Sequence, residues 1–338
     1  MVDKALQRVV RNTVKKCIPF VVHIELTWRC NLSCTHCYLP EKNSAELTTE
    51  QWISVFKKLK QEGTMFLALS GGEPFLRDDI FTLMKEARKV GLALRILTNG
   101  TLIDEACAKT LSTLCPAAVE ISLLGGEPKT HDGITGEKGS FAAVLKALRY
   151  LHTHSVRAIV KVPVMRANWS EFKLMEAIAK EYGAKLRYDV CISPKVDGDD
   201  GPTKSRLNAS ELASFLKARG RGEKVDIPMI GDEALPCGAG QNAFSIAPDG
   251  TVHPCTALRL PLGNIVEDEF AVIRENPTLQ SLRKLNFGAL ERCGQCEMAA
   301  LCGRCPGVAL IETGRIDGPS PSACELGATL MDLLKDSK

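Results

Sequence analysis

The chain has 338 residues, of which 45% are apolar and 25% are charged, an ordinary composition for a globular protein. This length exceeds what one hydrophobic core usually supports, so we expect two domains. A net charge of +3 demands neither nucleic acid nor an anionic membrane as partner. No apolar run reaches the roughly 18 residues that cross a membrane, and the basic segment 4–16 lacks the apolar core of a signal peptide. We therefore expect a cytoplasmic protein.

Six apolar runs alternate with amphipathic segments after the basic N-terminal helix. Strands are predicted at 20–26, 65–69, 92–97, 119–123, 156–164 and 186–192, with helices beginning near residues 48, 80, 104, 141 and 171. A repeat of roughly 30 residues is typical of right-handed parallel crossover units, and near-continuous apolar strands are typical of a sheet covered on both faces. Six units are too few to close an eight-stranded barrel, so the sequence predicts an α/β fold with a partial (β/α)6 parallel barrel.

The chain changes character after the sixth strand. Residues 193–207 are rich in proline, glycine and charge and are expected to form an exposed loop. A helix at 210–218 and a segment at 225–230 lead to a cysteine-rich region, which contains a predicted hairpin turning at Pro248-Asp249-Gly250. The predicted divisions are an N-terminal helix (1–19), a core (20–204), a bridging segment (205–236) and a small, loop-rich C-terminal domain (237–338).

Three cysteines, Cys30, Cys34 and Cys37, follow the first strand in a CxxxCxxC loop. Three thiolates so spaced can wrap a four-iron, four-sulfur ([4Fe-4S]) cluster and leave one iron open. The alternative is a zinc site that takes a distant fourth ligand.

A second motif, Gly71-Gly72-Glu73-Pro74, follows the second strand. The carboxyl ends of parallel strands share one rim of the sheet, so the two motifs are expected to lie together. Glycines here would let the backbone approach a ligand closely, and the proline would stiffen the exit from the loop.

Together these motifs resemble the radical S-adenosylmethionine (radical SAM) enzymes. The resemblance implies that the open iron is chelated by the methionine moiety of S-adenosyl-L-methionine, which is cleaved to a 5'-deoxyadenosyl radical that abstracts hydrogen. It also implies that Gly71, Gly72 and Glu73 bind the methionine amino group. The position before the third cysteine, usually aromatic in the family, is His36 here, and Tyr38 follows. Asn99 and Ser122 occupy rim positions that contact ribose or adenine in the family, or they make only local loop hydrogen bonds.

Asp189 lies in the sixth predicted strand, where burial without a partner would be costly. It is therefore expected to meet a cation or face the cavity, as a candidate for substrate contact or proton transfer. His131 is expected at the surface. Cys17, Cys107, Cys115 and Cys191 carry no ligand spacing.

Seven of the 14 cysteines fall within residues 237–324. So many thiols in a loop-rich segment indicate that metal supplies folding energy, and a zinc ribbon using Cys293, Cys296, Cys302 and Cys305 is one interpretation. The order of the cysteines also resembles the SPASM extension of radical SAM enzymes, which holds two auxiliary [4Fe-4S] clusters. That resemblance assigns Cys237, Cys255 and Cys305 to the first cluster and Cys293, Cys296, Cys302 and Cys324 to the second.

This assignment has one consequence for the first cluster and contains one departure from the family pattern. The first auxiliary cluster would have an open iron, available to substrate, to an external ligand or to His253. Cys302 and Cys305 are separated by two residues, where the family usually has three, which affects the placement of Cys305.

The resemblance implies an enzyme that abstracts hydrogen from a peptide, most plausibly a ribosomally made precursor in which it forms a crosslink, oxidises or epimerises a residue. A reducing partner such as ferredoxin or flavodoxin would supply electrons. The alternatives are a protein oxidase similar to sulfatase maturases, an enzyme of tetrapyrrole or sugar metabolism, and a noncatalytic iron-sulfur or zinc protein. The basic helix could contact an acidic leader peptide, or could be a solvated surface helix.

Overall fold

The computed structural model describes residues 4–40, 44–220 and 230–336. Its sheet has nine strands in the order β6-β5-β4-β3-β2-β1-β7-β8-β9. The six predicted parallel strands are confirmed, and each pairs in parallel with the next. Their bounds are β1 (Val21–Thr27), β2 (Phe66–Gly71), β3 (Ala93–Thr98), β4 (Ala118–Ser122), β5 (Ala158–Pro163) and β6 (Lys185–Asp189).

Within the described residues, eight helices precede, connect and follow the six parallel strands. They are α1 (Lys4–Lys15), α2 (Thr49–Gln61), α3 (Ile80–Lys89), α4 (Glu105–Leu114), α5 (Pro128–Thr135), α6 (Ser140–Thr153), α7 (Phe172–Glu181) and α8 (Ala209–Ala218). The start of α2 is fixed by a capping box, in which Gln51 N donates to Thr48 Oγ1 and Thr48 N donates to Gln51 Oε1. Helix α5 was not predicted, because its polar sequence lacks an apolar stripe.

The two faces of the strands differ in chemistry. In β1, Val22 and Ile24 are buried against the helices, whereas His23 and Glu25 alternate with them and point to the opposite side. The expectation of apolar residues on both faces is therefore wrong for this strand, since its inner face is polar. His23 on this inner face lines the cavity at the carboxyl ends of the parallel strands.

Strand β6 ends at Asp189, three residues before its predicted end. The Asp189 carboxylate accepts a hydrogen bond of 2.9 Å from Cys191 N, an Asx turn that diverts the chain from the sheet. The following loop is less exposed than expected, since Pro202 is buried in a short 3₁₀ helix (Gly201–Ser205). The segment predicted at 225–230 lies, apart from its last residue, outside the described residues.

The predicted C-terminal hairpin is confirmed as β7 (Ala243–Ile246) and β8 (Thr251–His253), followed by β9 (Gly263–Asn264). Strand β7 pairs in parallel with β1, so the hairpin extends the core sheet. Five further helices complete the region: α9 (Phe270–Arg274), α10 (Pro277–Arg283), α11 (Ala299–Cys302), α12 (Pro306–Thr313) and α13 (Pro321–Asp336). In the described residues, no helix has the length and apolar character needed to cross a membrane.

Candidate active site

A cavity of about 410 Å³ opens at the carboxyl ends of the parallel strands. It brings the cysteine loop and the glycine loop together on one rim, as the sequence predicted. Ten of the predicted site residues line it: Cys30, Cys34, His36, Cys37, Tyr38, Gly71, Gly72, Asn99, Ser122 and Asp189. Their roles toward a cofactor stay predictions.

The cysteine loop is held from two sides. Ser33 N and Thr35 N donate to the carbonyl oxygens of Thr135 and Ile134, at 2.9 and 3.0 Å, which pins the loop to the end of α5. On the other side, Asn99 Nδ2 donates to Asn31 Oδ1 at 2.9 Å and approaches Cys30 Sγ at 3.9 Å. Asn99 thus positions the loop itself, which supports the local interpretation of this residue.

The paired glycines bring two backbone segments side by side. Gly72 N donates to Thr27 O at 2.8 Å, and Glu73 N donates to Arg29 O at 2.9 Å. A Cβ atom on Gly71 would lie 2.0 Å from Thr27 O, and one on Gly72 would lie 2.3 Å from Arg29 O. The backbone leading to Cys30 is therefore one neighbour that requires glycine here, and close approach to a ligand stays a prediction.

Glu73 and Pro74 lie buried behind the cavity wall. The Glu73 carboxylate accepts hydrogen bonds from Thr98 Oγ1 at 2.8 Å, Asn99 N at 2.8 Å and Phe75 N at 3.1 Å. Burial raises the pKa of this carboxyl to about 7, although these hydrogen bonds oppose the change. Glu73 thus ties the end of β2 to the end of β3.

A buried carboxylate that the sequence did not single out connects the cysteine loop to the C-terminal region. Glu25 accepts hydrogen bonds from Tyr38 Oη at 2.8 Å, Trp28 Nε1 at 3.0 Å and Arg259 Nη2 at 2.7 Å. Burial alone would raise the pKa of Glu25, but Arg259 and the hydrogen bonds lower it below its usual value. A charged residue within the apolar run 20–26 was the available signal.

The inner face of the barrel carries further charges. Glu120 is buried against Arg95 and lies 3.7 Å from Lys161 Nζ. Burial lowers the pKa of Lys161, and the charge of Asp189 opposes this effect. Asp189 therefore both lines the cavity and faces a cation, as expected. Lys161 is a cavity residue that sequence reasoning missed.

His131 corrects a second expectation. It was predicted at the surface, yet it is only 1% exposed and lines the cavity. Its Nδ1 accepts a hydrogen bond of 3.1 Å from Leu124 N, and burial lowers its pKa to about 4. The ring packs edge-on against Phe141, so it supports the cavity wall as a neutral side chain.

The C-terminal cysteines form two groups. Although Cys237 is an exposed residue, its thiol is desolvated, and this together with Cys305 and Cys255 raises its pKa. Desolvation likewise raises the pKa of the Cys302 thiol, which is close to Cys293 and Cys296, and that of Cys324, which is close to all three. The groups are Cys237, Cys255 and Cys305, and Cys293, Cys296, Cys302 and Cys324.

These groups fit iron-sulfur clusters. All 14 cysteines lie in the described residues as unbridged thiols. Within residues 4–40, 44–220 and 230–336, no three His, Cys, Asp or Glu side chains converge on one point as ligands of a single ion do. Thiolates around a four-iron cluster bind different irons and need not converge in this way. His253 is buried, and the charged groups that act on it include Arg259, Glu25 and Asp249.

The barrel, its cysteine loop and its cysteine-rich extension define an iron-sulfur enzyme of the α/β barrel class. Residues 24–177 match the radical SAM superfamily, and residues 237–297 match the SPASM iron-sulfur cluster-binding domain. The chain belongs to the radical SAM enzymes with a SPASM domain. Its cofactors are a [4Fe-4S] cluster with S-adenosyl-L-methionine and auxiliary iron-sulfur clusters.

Relatives and solved structures agree with this family. The Bacillus subtilis protein AlbA, named for biosynthesis of the antilisterial bacteriocin subtilosin, is 30% identical over 85% of this chain and 67% of its own length. The AdoMet-dependent heme synthase of Methanosarcina barkeri is 27% identical over 88% of this chain and 93% of its own. Streptococcus suis SuiB, solved with its precursor peptide SuiA, shares the fold with a TM-score of 0.72 at 16% identity, over 96% of this chain and 82% of SuiB.

Proposed function

We propose that this enzyme modifies a peptide, a ribosomally synthesised precursor, by abstracting hydrogen to form a crosslink, oxidise or epimerise a residue. The observation that carries the proposal is the extent of the cavity, which runs from the three loop cysteines to Thr256, beside Cys255 of the C-terminal region. A substrate in this cavity would meet the primary cluster at one end and the auxiliary region at the other. AlbA is named for biosynthesis of a bacteriocin, and SuiB was solved bound to its precursor peptide.

The volume of the cavity limits how much of a substrate it encloses. About 410 Å³ is near the lower end of the range for sites that enclose one small ligand. The primary cluster and a nucleoside cofactor would occupy much of this space, so most of a peptide substrate would extend from the open side of the cavity.

The residues present fit the cofactor. Cys30, Cys34 and Cys37 would hold the primary cluster, which together with S-adenosyl-L-methionine supplies the one-electron chemistry that removes hydrogen from an unactivated carbon. His36 Nδ1 is a buried polar atom with no hydrogen-bond partner in the described residues, and His36 lines the cavity. A polar group of a ligand would satisfy this atom. Burial lowers the pKa of His36 to about 4, so the imidazole is neutral.

Other residues of the cavity would position the substrate and shield the radical from solvent. Ser122 presents a hydroxyl to the cavity, and Gly71 and Gly72 present backbone groups. Asp189 and Lys161 supply opposite charges at the same wall, where Asp189 could accept a proton from substrate. The seven C-terminal cysteines would hold two auxiliary clusters that accept the surplus electron or anchor substrate. A reducing partner such as ferredoxin or flavodoxin would deliver electrons to the clusters.

A second candidate is a carboxylate-bearing tetrapyrrole. The heme synthase of M. barkeri aligns with nearly all of this chain, and Arg95 and Lys161 give the barrel interior cations that could pair with carboxylates. However, both cations already lie against Glu120. Because both cations already have a carboxylate partner, the peptide is favoured over the tetrapyrrole.

Mass spectrometry tests the proposal. Each short open reading frame beside the gene is expressed with the enzyme under anaerobic conditions, and the Cys30→Ala, Cys34→Ala, Cys37→Ala triple variant is the control. We expect a peptide that loses two hydrogens, or incorporates solvent deuterium, only with the intact enzyme. Unchanged peptides, together with consumption of a tetrapyrrole carboxylate by the purified enzyme, would contradict the peptide proposal and support the second candidate.

A further inference from the structure

The first group of C-terminal thiols has three members, one fewer than a closed four-iron cluster needs. A further thiol, from the loop that leaves the barrel core, shares a cavity with one member of this group, Cys305. We propose that Cys191, in the loop after β6, is the fourth thiolate of the auxiliary cluster held by Cys237, Cys255 and Cys305. This inference rests on the proposed assignment of those three cysteines and is independent of the substrate.

The turn after β6 directs Cys191 toward the C-terminal region. Asp189 Oδ1 accepts a hydrogen bond of 2.9 Å from Cys191 N and ends the strand. Beyond this turn, a cavity of about 270 Å³ separates the loop from the cysteine-rich segment. Cys191 lines it from one side and Cys302 and Cys305 from the other. A space between thiols is the arrangement that a bound cluster requires.

An arginine fixes the two sides of this cavity relative to each other. Arg206 Nε donates to Ile192 O, and Arg206 Nη2 donates to Glu312 Oε1, each at 2.7 Å. Ile192 is the neighbour of Cys191, and Glu312 lies in α12, whose N-cap is Cys305. Ser320 Oγ holds the second carboxylate oxygen of Glu312 at 2.7 Å. The clamp therefore holds the Cys191 loop and the Cys305 helix at a constant separation.

Electrostatics agree with the cavity in linking Cys191 to one member of the first group, Cys305. Cys305 acts on both Cys237 and Cys191, so it stands near each of them. The Cys191 thiol is desolvated, although the residue as a whole is exposed, because the thiol lies in the cavity wall. Ligation requires the thiolate form of cysteine, which a bound metal stabilises.

Cys191 is a better candidate for the fourth ligand than His253. His253 lies opposite Ser245 in the pairing of β7 with β8, and it does not line the cavity that Cys191 shares with Cys305. With Cys191 in place, the cluster is closed, and substrate does not bind its iron. Asp189 lines both the active-site cavity and the Cys191 cavity, so the turn from Asp189 to Cys191 is a direct link between substrate and auxiliary cluster.

Electron paramagnetic resonance tests this ligand without any assay of activity. The Cys30→Ala, Cys34→Ala, Cys37→Ala variant is purified anaerobically, so that only auxiliary clusters, with about eight irons per chain, remain. A four-iron cluster with three thiolates readily loses its open iron on mild oxidation and becomes a paramagnetic three-iron cluster. We expect no three-iron signal while Cys191 is present.

Adding Cys191→Ala to this background is expected to produce the three-iron signal, at up to about one spin per chain. The Cys191→Ser variant is expected to give a weaker three-iron signal than Cys191→Ala. Cys107→Ala is the matched control, because burial raises the pKa of that thiol also to about 11 while Cys107 lies in α4. A three-iron signal in the background with Cys191 intact would overturn the proposal even if Cys191→Ala fails to fold. An unchanged spectrum in Cys191→Ala at equal iron content would also overturn it, and a background without iron would reject the cluster assignment itself.

Discussion

Glu25 and Arg259 form a buried ion pair that joins the first strand of the barrel to the segment after the C-terminal hairpin. Arg259 Nη2 lies 2.7 and 2.8 Å from the two carboxylate oxygens of Glu25. The Glu25 side chain is 1% exposed and that of Arg259 is 13% exposed. Tyr38, next to the loop cysteine Cys37, donates to the same carboxylate. One buried charge therefore couples the cysteine loop to the SPASM region.

Replacing Arg259 with Met should lower the free energy of unfolding by about 3 to 5 kcal/mol, because the Glu25 charge stays buried without its partner. The loss should be largest at neutral pH. The folded-state pKa of Glu25 is lowered, so its stabilising contribution is present above the unfolded value and is lost as pH falls through the folded value. Urea unfolding of the native protein and of Arg259→Met between pH 3 and 8, a range of about 5 units, measures this difference in stability.

The double variant Glu25→Gln, Arg259→Met is the control for the ion pair. It removes both charges, so it should recover part of the stability lost in the single variant. Equal stability of Arg259→Met and the native protein at neutral pH would contradict the role given to the pair.

Gly71→Ala should destabilise the protein by on the order of 3 kcal/mol, because its Cβ would lie 2.0 Å from Thr27 O and its φ is +141°. Gly72→Ala should act similarly through Arg29 O. The matched control is Gly133→Ala in helix α5, where a Cβ meets no atom within 4 Å, and alanine should be neutral or stabilising there. Thermal unfolding of the three variants compares them.

Iron content and spectra distinguish a structural role of these glycines from contact with the cofactor. If the glycines serve mainly to join the two backbone segments, the alanine variants should lose stability and the primary cluster together. A stable Gly71→Ala protein with a full complement of iron and weakened binding of S-adenosylmethionine would favour direct ligand contact instead.

The barrel was predictable because its signals are local. Each strand is an apolar run, and stops such as Gly63 and Gly91 separate strand from helix at positive φ. Parallel strands end at the same edge of a sheet, so strand direction alone predicted that the two loops meet. Cys30 and Gly71 do line one cavity.

The features that sequence reasoning missed depend on distant residues. Pairing of β7 with β1 joins residues that are more than 200 positions apart, and no local pattern encodes it. Cys191 has no neighbouring cysteine, so spacing could not identify it as a ligand. His131 lies in a polar helix without an apolar stripe, so its burial follows from the packing of α5 and not from periodicity.

Glu73 should give the protein a distinctive pH dependence. Its folded-state pKa is raised to about 7 by burial, so it stabilises the fold fully below its unfolded value of about 4.3 and loses that contribution as pH rises through 7. Relative to Glu73→Gln, the native protein should therefore lose roughly 3 kcal/mol of stability between pH 5 and 8, a span of about 3 units. A constant difference between the two proteins over this range would show that Thr98 and Asn99 keep the carboxyl ionised.

Asn99 should control how firmly the primary cluster is held. Its Nδ2 donates to Asn31 and approaches Cys30 Sγ at 3.9 Å, while its Oδ1 accepts from Thr101 N at 2.9 Å. Asn99→Asp keeps the bond to Thr101, but it removes the donor to Asn31 and places a carboxylate beside the Cys30 thiolate. Like charges at this distance cost about 1 kcal/mol, which corresponds to roughly fivefold faster loss of iron to a chelator.

The rate of iron loss, followed by visible absorbance under anaerobic conditions, measures this effect. A background with Cys293→Ala and Cys324→Ala reduces the auxiliary contribution, so that the primary cluster dominates the signal. Asn286→Asp, at the N-cap of a short helix in the C-terminal region, adds the same charge far from the cysteine loop and should leave the rate unchanged. If Asn99→Asp and Asn286→Asp lose iron equally fast, Asn99 does not act on the cluster, and its hydrogen bonds serve only to shape the loop.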